Sequence, residues 1–328
     1  MGRMKSAQLF FAALAIALLA SIASPRMNGQ PSAATPQLVI LDTDIGDDID
    51  DAFALALILR SPELRLLGVG TAFGDTELRA RLVDRYLAAI GRHDIPVLAG
   101  VVTTTTNQFT QAAYARQAPD RKHADAVAFL LQQIRLHPNQ ITLIAIGPLF
   151  NVQAAIERDP ATFRKLKRVV IMGGSVYQGY ETKDRDRNTP PSPEWNILCD
   201  PAGAKALFAS GVPVFVMPLD ATQIHLENSA LAALLAHGSP LTDQLTLLYH
   251  QWTGADSPSR SPTLYDPVAV TYAFRPDLCQ ATPMRLDVND IGFTKPVEGA
   301  PNAQVCLHSN EKGFLELLSN RIAGENAR

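Results

Sequence analysis

Apolar residues fall in short runs, and between the runs they recur at helical spacing. Residues 38–41, Leu-Val-Ile-Leu, are uniformly apolar and too few for a helix, the pattern of a strand buried on both faces. After a polar stretch, Ile49, Ala52, Phe53, Ala56 and Leu57 return at i, i+3, i+4, i+7 and i+8 as one face of a helix. The alternation then repeats. Strands are predicted at 64–70, 95–99, 141–146, 168–172 and 214–218, and helices at 76–90, at 125–136, from Asn151 and at 200–208. Tight hairpin turns are missing between them. Strand, loop and helix recurring in this way predict an α/β fold: an open, mostly parallel, doubly wound sheet with helices on both faces. Beyond residue 228 the pattern turns helical, at 229–235, at 241–252 and from Asp266-Pro267, with closing strands at 284–288 and 304–307 and a last helix at 311–323.

With 328 residues, 47% of them hydrophobic, the chain can bury a large core as a single domain from residue 37 to residue 328. A net charge of −3 leaves no basic footprint, so nucleic acid is not an expected partner. The first 23 residues read as an export signal. Arg3 and Lys5 precede an apolar run over 9–20, too short for a membrane span, and small residues follow at 21–23. Residues 24–36, rich in Pro, Ser and Asn, read as a linker. The expected address is periplasmic or secreted, with no stable membrane anchor. Three cysteines exclude a disulfide framework; at most one bridge is possible, with Cys279 to Cys306 as one pairing and three buried thiols as the other account.

The predicted first strand runs directly into acids: Asp42, Asp44, Asp47, Asp48, Asp50 and Asp51 within ten residues. Gathered in a crevice, so many carboxylates stay ionised only beside a cation, which points to a hard, oxygen-liganded metal. Helix capping and the helix dipole account for two or three of them. Asp42 and Asp44 are left over, because they precede Gly46 at the carboxyl end of a strand, where open α/β sheets bind ligands. Gly68-x-Gly70 lacks the third glycine of a dinucleotide fingerprint.

Further along, Gly147-Pro148-Leu149 with Asn151, Met172-Gly173-Gly174, Glu194-x-Asn196, Asp200-Pro201 and Asp266-Pro267 follow Asp42-Thr43-Asp44-Ile45-Gly46 and Asp50-Asp51-Ala52 in order. This ordered set resembles the nucleoside hydrolase family over essentially the whole chain after the leader. The resemblance implies calcium-assisted hydrolysis of the N-glycosidic bond of ribonucleosides, giving ribose and free base, by a homodimer or homotetramer. It implies Asp44, Asp51, Asp266 and the main-chain carbonyl of Phe150 as Ca2+ ligands, with Asp44 also taking a proton from the attacking water. Asp50, Asn188, Glu194 and Asn196 are expected to hold the ribose hydroxyls, Met172 to pack against the sugar, and Asp42 to support the site from behind.

Four positions depart from the family pattern. The spacing from Gly46 to the paired acids is longer by two residues, so Asp48 competes with Asp50 for the sugar. Asp75 follows Gly74 where the family commonly has asparagine, and brings a further acid near the metal. Phe150 replaces a threonine. Tyr265 stands where a histidine often protonates the leaving base, and a phenol of pKa near 10 is a weaker acid at neutral pH. Stacking on Tyr249 or Trp252 is the alternative source of activation, although aromatics at such spacing are commonly core. His93 and His123 are further candidate donors, against the ordinary structural role of a lone histidine.

Two other classes fit part of the pattern. An aspartyl-nucleophile phosphatase can use Asp42-x-Asp44, but it gives Glu194-x-Asn196 no role. An exported nucleoside- or sugar-binding protein of the same fold, without turnover, is consistent with the missing histidine.

Overall fold

The computed structural model describes residues 35–105, 109–254 and 260–324. The expected signal segment, and all of the linker except residues 35 and 36, lie outside the described residues.

Nine strands form one sheet in the order β4-β3-β2-β1-β5-β6-β7-β11-β8. They are β1 (Gln37–Thr43), β2 (Leu64–Thr71), β3 (Val97–Ala99), β4 (Ala124–Asp125), β5 (Thr142–Ala145), β6 (Arg168–Met172), β7 (Val214–Met217), β8 (Cys279–Met284) and β11 (Ala303–Ser309). Every pairing is parallel except β11 with β8. The chain winds from β1 outward through β2, β3 and β4, then returns to place β5 on the other side of β1. The β1–β5 boundary is therefore where the winding reverses, and loops diverge there to leave a crevice at the strands' carboxyl ends.

Alternate side chains of the strands feed two cores. Val39 and Leu41 of β1, with Val170 of β6, face the helices Asp50–Leu59, Thr76–Ala89 and Tyr265–Phe274. Ile40, Leu143 and Val169 face the opposite side, against Ala126–Leu136, Phe150–Arg158 and Pro201–Ala209. Strands buried on both faces explain the uninterrupted apolar runs. Among the described residues, no helix is long and apolar enough to cross a membrane.

The strand expected over 284–288 is two strands. Met284 pairs with Ala303 of β11, whereas Leu286 opens β9 (Leu286–Val288) and pairs with Pro296 of β10 (Thr294–Pro296) in a separate antiparallel ribbon. The chain changes partner at Arg285, and the Asn302 side chain takes both main-chain groups of Leu286 at the break. Cys279 and Cys306 are bonded to each other, joining edge strand β8 to β11.

Candidate active site

The end of β1 delivers Asp42 and Asp44, and the helix Asp50–Leu59 begins with Asp50 and Asp51; all four are buried. The intervening loop turns at Gly46, whose φ of 128° and contact with the Phe109 ring leave no room for a Cβ. Thr110 clasps this loop, its hydroxyl donating to the Asp47 carbonyl at 2.7 Å, and the Gln111 side chain donates to the Asp48 carbonyl at 2.8 Å.

Beneath the loop lies Arg79, a cation with 2% of its surface exposed. Its guanidinium donates to the carbonyls of Asp44, Ile45 (3.0 Å) and Phe73 (2.7 Å), and to Asp47 Oδ2 at 2.9 Å. Phe73 has φ of 64°, a conformation uncommon outside glycine, and it turns its carbonyl onto that cation. Asp47 was expected only as one of the clustered acids, and Arg79 was not expected to serve the site. The available signal was an arginine on the buried stripe of an amphipathic helix, alongside Leu82, Val83 and Tyr86.

Carboxylate oxygens of Asp50, Asp51 and Asp266 lie within 4.8 Å of one another, and all three residues are buried. Asp266 arrives on the first turn of Tyr265–Phe274, and its main-chain N–H donates to Asp50 Oδ2 at 3.1 Å. The Thr43 hydroxyl donates to Asp51 Oδ1. Burial first, and then repulsion among these acids, hold all three well above the usual carboxylate range. Burial pushes Asp44 up to about 7, with Arg79 pulling against it. A pocket of buried oxygens that repel one another is a donor set suited to a hard divalent cation, which would relieve the repulsion.

Asp42 stands behind the acids. Its Oδ1 accepts from Asn151 Nδ2 at 2.7 Å, the same nitrogen donates to the Thr71 carbonyl at 3.0 Å, and Asn151 Oδ1 accepts from the Val101 N–H at 2.8 Å. Burial raises Asp42 to about 7.

Above the acids opens a pocket of about 390 Å³, lined by Asp44, Asp48, Asp50, Asp51 and Asp266. Met172, Glu194 and Asn196 line it at the ends of β6 and of the following loop. Glu194 caps the short helix Trp195–Cys199, its carboxylate accepting from the N–H groups of Gly174 (2.9 Å), Asn196 (2.9 Å) and Ile197 (3.2 Å); burial still pushes it up to about 7. The Asn196 amide donates to the carbonyls of Ile146 and Met172 at 3.1 and 3.0 Å. Four aromatic residues also line it, Tyr180, Trp195, Trp252 and Tyr265, together with Arg260. Of these, Tyr180, Trp195 and Arg260 carried no signal in the sequence.

Other expected residues are not gathered there. Asp75 is exposed and caps Thr76–Ala89, accepting from the Leu78 N–H at 3.0 Å. Asn188 is exposed, its main-chain N–H donating to Asp186. Phe150 is not among the pocket's lining residues; its ring stacks on Phe73 at 6.2 Å. Tyr249 lies in the core beside Trp252 and reaches the pocket only through the Arg260 carbonyl, to which its hydroxyl donates at 2.9 Å. His123 is clamped between Glu77 (2.7 Å) and Asp84 (2.9 Å), and exposed His93 lies elsewhere, so no histidine lines the pocket.

Residues 39–316 match the model of the inosine-uridine preferring nucleoside hydrolase family. The pyrimidine-specific ribonucleoside hydrolase RihA of Citrobacter koseri is 30% identical over 321 residues, covering 87% of this chain and 97% of that protein. Among solved structures, the plant nucleoside hydrolase PpNRh1 superposes with a TM-score of 0.75 at 26% identity, covering 88% of this chain and 99% of that one. A purine-preferring ribonucleoside hydrolase from Gardnerella vaginalis shares the fold, with a TM-score of 0.71 at 23% identity over 88% of this chain and 99% of its own.

Proposed function

The chain belongs to the inosine-uridine preferring nucleoside hydrolase family, whose members act on N-glycosyl bonds, and we propose that it cleaves ribonucleosides to ribose and free base with calcium as its cation. One observation carries the reading: Asp50 and Asp51 meet Asp266, more than two hundred residues away in the chain, in a pocket lined by carboxylates and by aromatic rings. A polar sugar suits the carboxylates and a flat base the rings.

Asp51 and Asp266, with Asp44 and Asp50 beside them, are the residues that would hold the ion, together with the Phe150 carbonyl of the family pattern. Calcium suits them because it accepts six to eight oxygen donors, carboxylates and carbonyls included. When bound, a divalent cation makes nearby water a stronger acid and grips hydroxyl oxygens of the sugar. Asp44 takes the proton of the attacking water, a task open to a carboxylate that lines the pocket beside the other acids. Asp50 or Asp48, with Glu194 and Asn196, orients the ribose, and Met172 packs on its face. The positive charge that develops on the sugar ring as the bond to the base stretches is stabilised by the surrounding carboxylates.

Export to the periplasm or beyond is part of the proposal. The charged and apolar leader supports it, as does the Cys279–Cys306 bond, a kind that persists in oxidising compartments. Assembly as a homodimer or homotetramer is proposed on the family resemblance, and light scattering of the purified mature protein tests it.

The deciding experiment measures reducing-sugar release from uridine, inosine, cytidine and adenosine by the mature protein, with and without a chelator. Calcium-dependent release is expected, and Asp44→Asn is expected to lower kcat by about 10²–10⁴-fold. Nucleoside binding without release favours the binding-protein class. Phosphate release from phosphate esters with magnesium favours the phosphatase.

A further inference from the structure

The hydrolase reading leaves the departing base without an evident proton donor, and the inference here rests on that reading. No histidine lines the pocket, and burial holds the phenols of Tyr180 and Tyr265 well above the ordinary tyrosine range. Both are weaker acids than a free tyrosine.

Among the described residues, Arg260 is the one cationic side chain that lines the pocket. Two residues of the helix Pro240–Thr253 hold it: Tyr249 Oη donates to its main-chain carbonyl at 2.9 Å, and its guanidinium carbon lies 4.3 Å from the centroid of the Trp252 ring. Ser261, next in the chain, is pinned by a 2.7 Å bond from its hydroxyl to the Leu226 carbonyl. The contact with the ring uses no N–H donor, and among the described residues the guanidinium forms no ion pair. Its charge still reaches Asp48, which lines the same pocket.

We infer that Arg260 activates the leaving group: its guanidinium edge accepts the charge of the base as it departs as an anion. The bond between C1′ and the base nitrogen breaks with its electron pair going to the base, where it spreads onto ring carbonyl oxygens within reach of a planar fork of N–H donors. Water oxygen bonds to C1′, and its proton passes to Asp44. The base anion takes up a proton from solvent on release, so the sum is nucleoside plus water giving ribose plus base. Charge stabilisation by a preorganised donor thus replaces proton transfer to the departing base.

The test compares the purified enzyme with Arg260→Gln on uridine and on 4-nitrophenyl β-D-ribofuranoside, whose phenolate leaves readily without help. Expected is a fall in kcat for uridine of about 10²–10³-fold with a smaller change in KM, and a change of less than about threefold on the nitrophenyl riboside. Circular dichroism and the thermal midpoint are expected to match the parent, because Arg260 is exposed. An equal fall on both substrates, or no fall on either, overturns the assignment while leaving the hydrolase reading intact. A parent enzyme inactive on both overturns that reading and this one together.

Discussion

Arg79 Nη2 meets Asp47 Oδ2 at 2.9 Å directly beneath the acidic loop, so the loop that gathers the carboxylates is held by a buried cation of the same chain. The rest of that guanidinium is spent on loop carbonyls. Replacing it with an uncharged side chain strands Asp47 and three carbonyls. Arg79→Met is expected to cost about 3 kcal/mol of stability, read from urea unfolding. A midpoint within error of the parent would refute the bracing role.

Metal binding is expected to appear as stability before it appears as activity. A ligand held only by the folded state stabilises it by about 2.7 kcal/mol at one hundred times its dissociation constant. Calcium should therefore raise the thermal midpoint of the chelator-treated protein, and Asp266→Asn should abolish most of that rise. A rise of the same size in the variant counts against the Asp50, Asp51 and Asp266 cluster as the site.

The acids also set a pH dependence for the metal-free protein. Folding raises Asp42, Asp44 and Glu194 to about 7, and Asp50, Asp51 and Asp266 also lie above their ordinary values. A carboxyl raised by folding binds more protons folded than unfolded. Its contribution is complete below about pH 4 and is lost as pH rises through the folded value. Chelated protein should thus be less stable at pH 8 than at pH 5, with calcium narrowing the gap. Urea midpoints at the two pH values, with and without calcium, read this directly; a metal-free protein more stable at pH 8 contradicts it.

The Cys279–Cys306 bond fastens the one antiparallel edge of the main sheet. Its removal by Cys306→Ser is expected to cost about 3 kcal/mol. The site lies at the β1–β5 boundary, far along the sheet from that edge, so kcat below the melting range should change little. A large loss of kcat at low temperature would link edge and site.

Much of this was legible in the sequence because burial on both faces writes strands as plain apolar runs. β6 and the helix Glu311–Ala323 fall at the expected residues. The break at Arg285 was not legible, since residues 284–288 read as one short strand and the Asn302 side chain that marks the break lies elsewhere in the chain. Acids and small motifs announced the floor of the site. Its two arginines were not announced: Arg79 lies within a helical stripe, and Arg260 follows a Ser/Pro-rich stretch with no periodicity. Asp75 misled for a physical reason, because an aspartate before a helix serves equally well as a cap.

One carboxamide, that of Asn151, binds the terminus of β1 through Asp42, that of β2 through Thr71, and the chain just past β3 through Val101. At Gly100, just after β3, a methyl group would strike that amide at 2.2 Å. Three adjacent strand tips are in effect riveted together, and no one of them slides without breaking the joint. Remodelling what this enzyme admits therefore falls to the side chains of the rim, which stand on separate segments and can be exchanged while the platform keeps its shape.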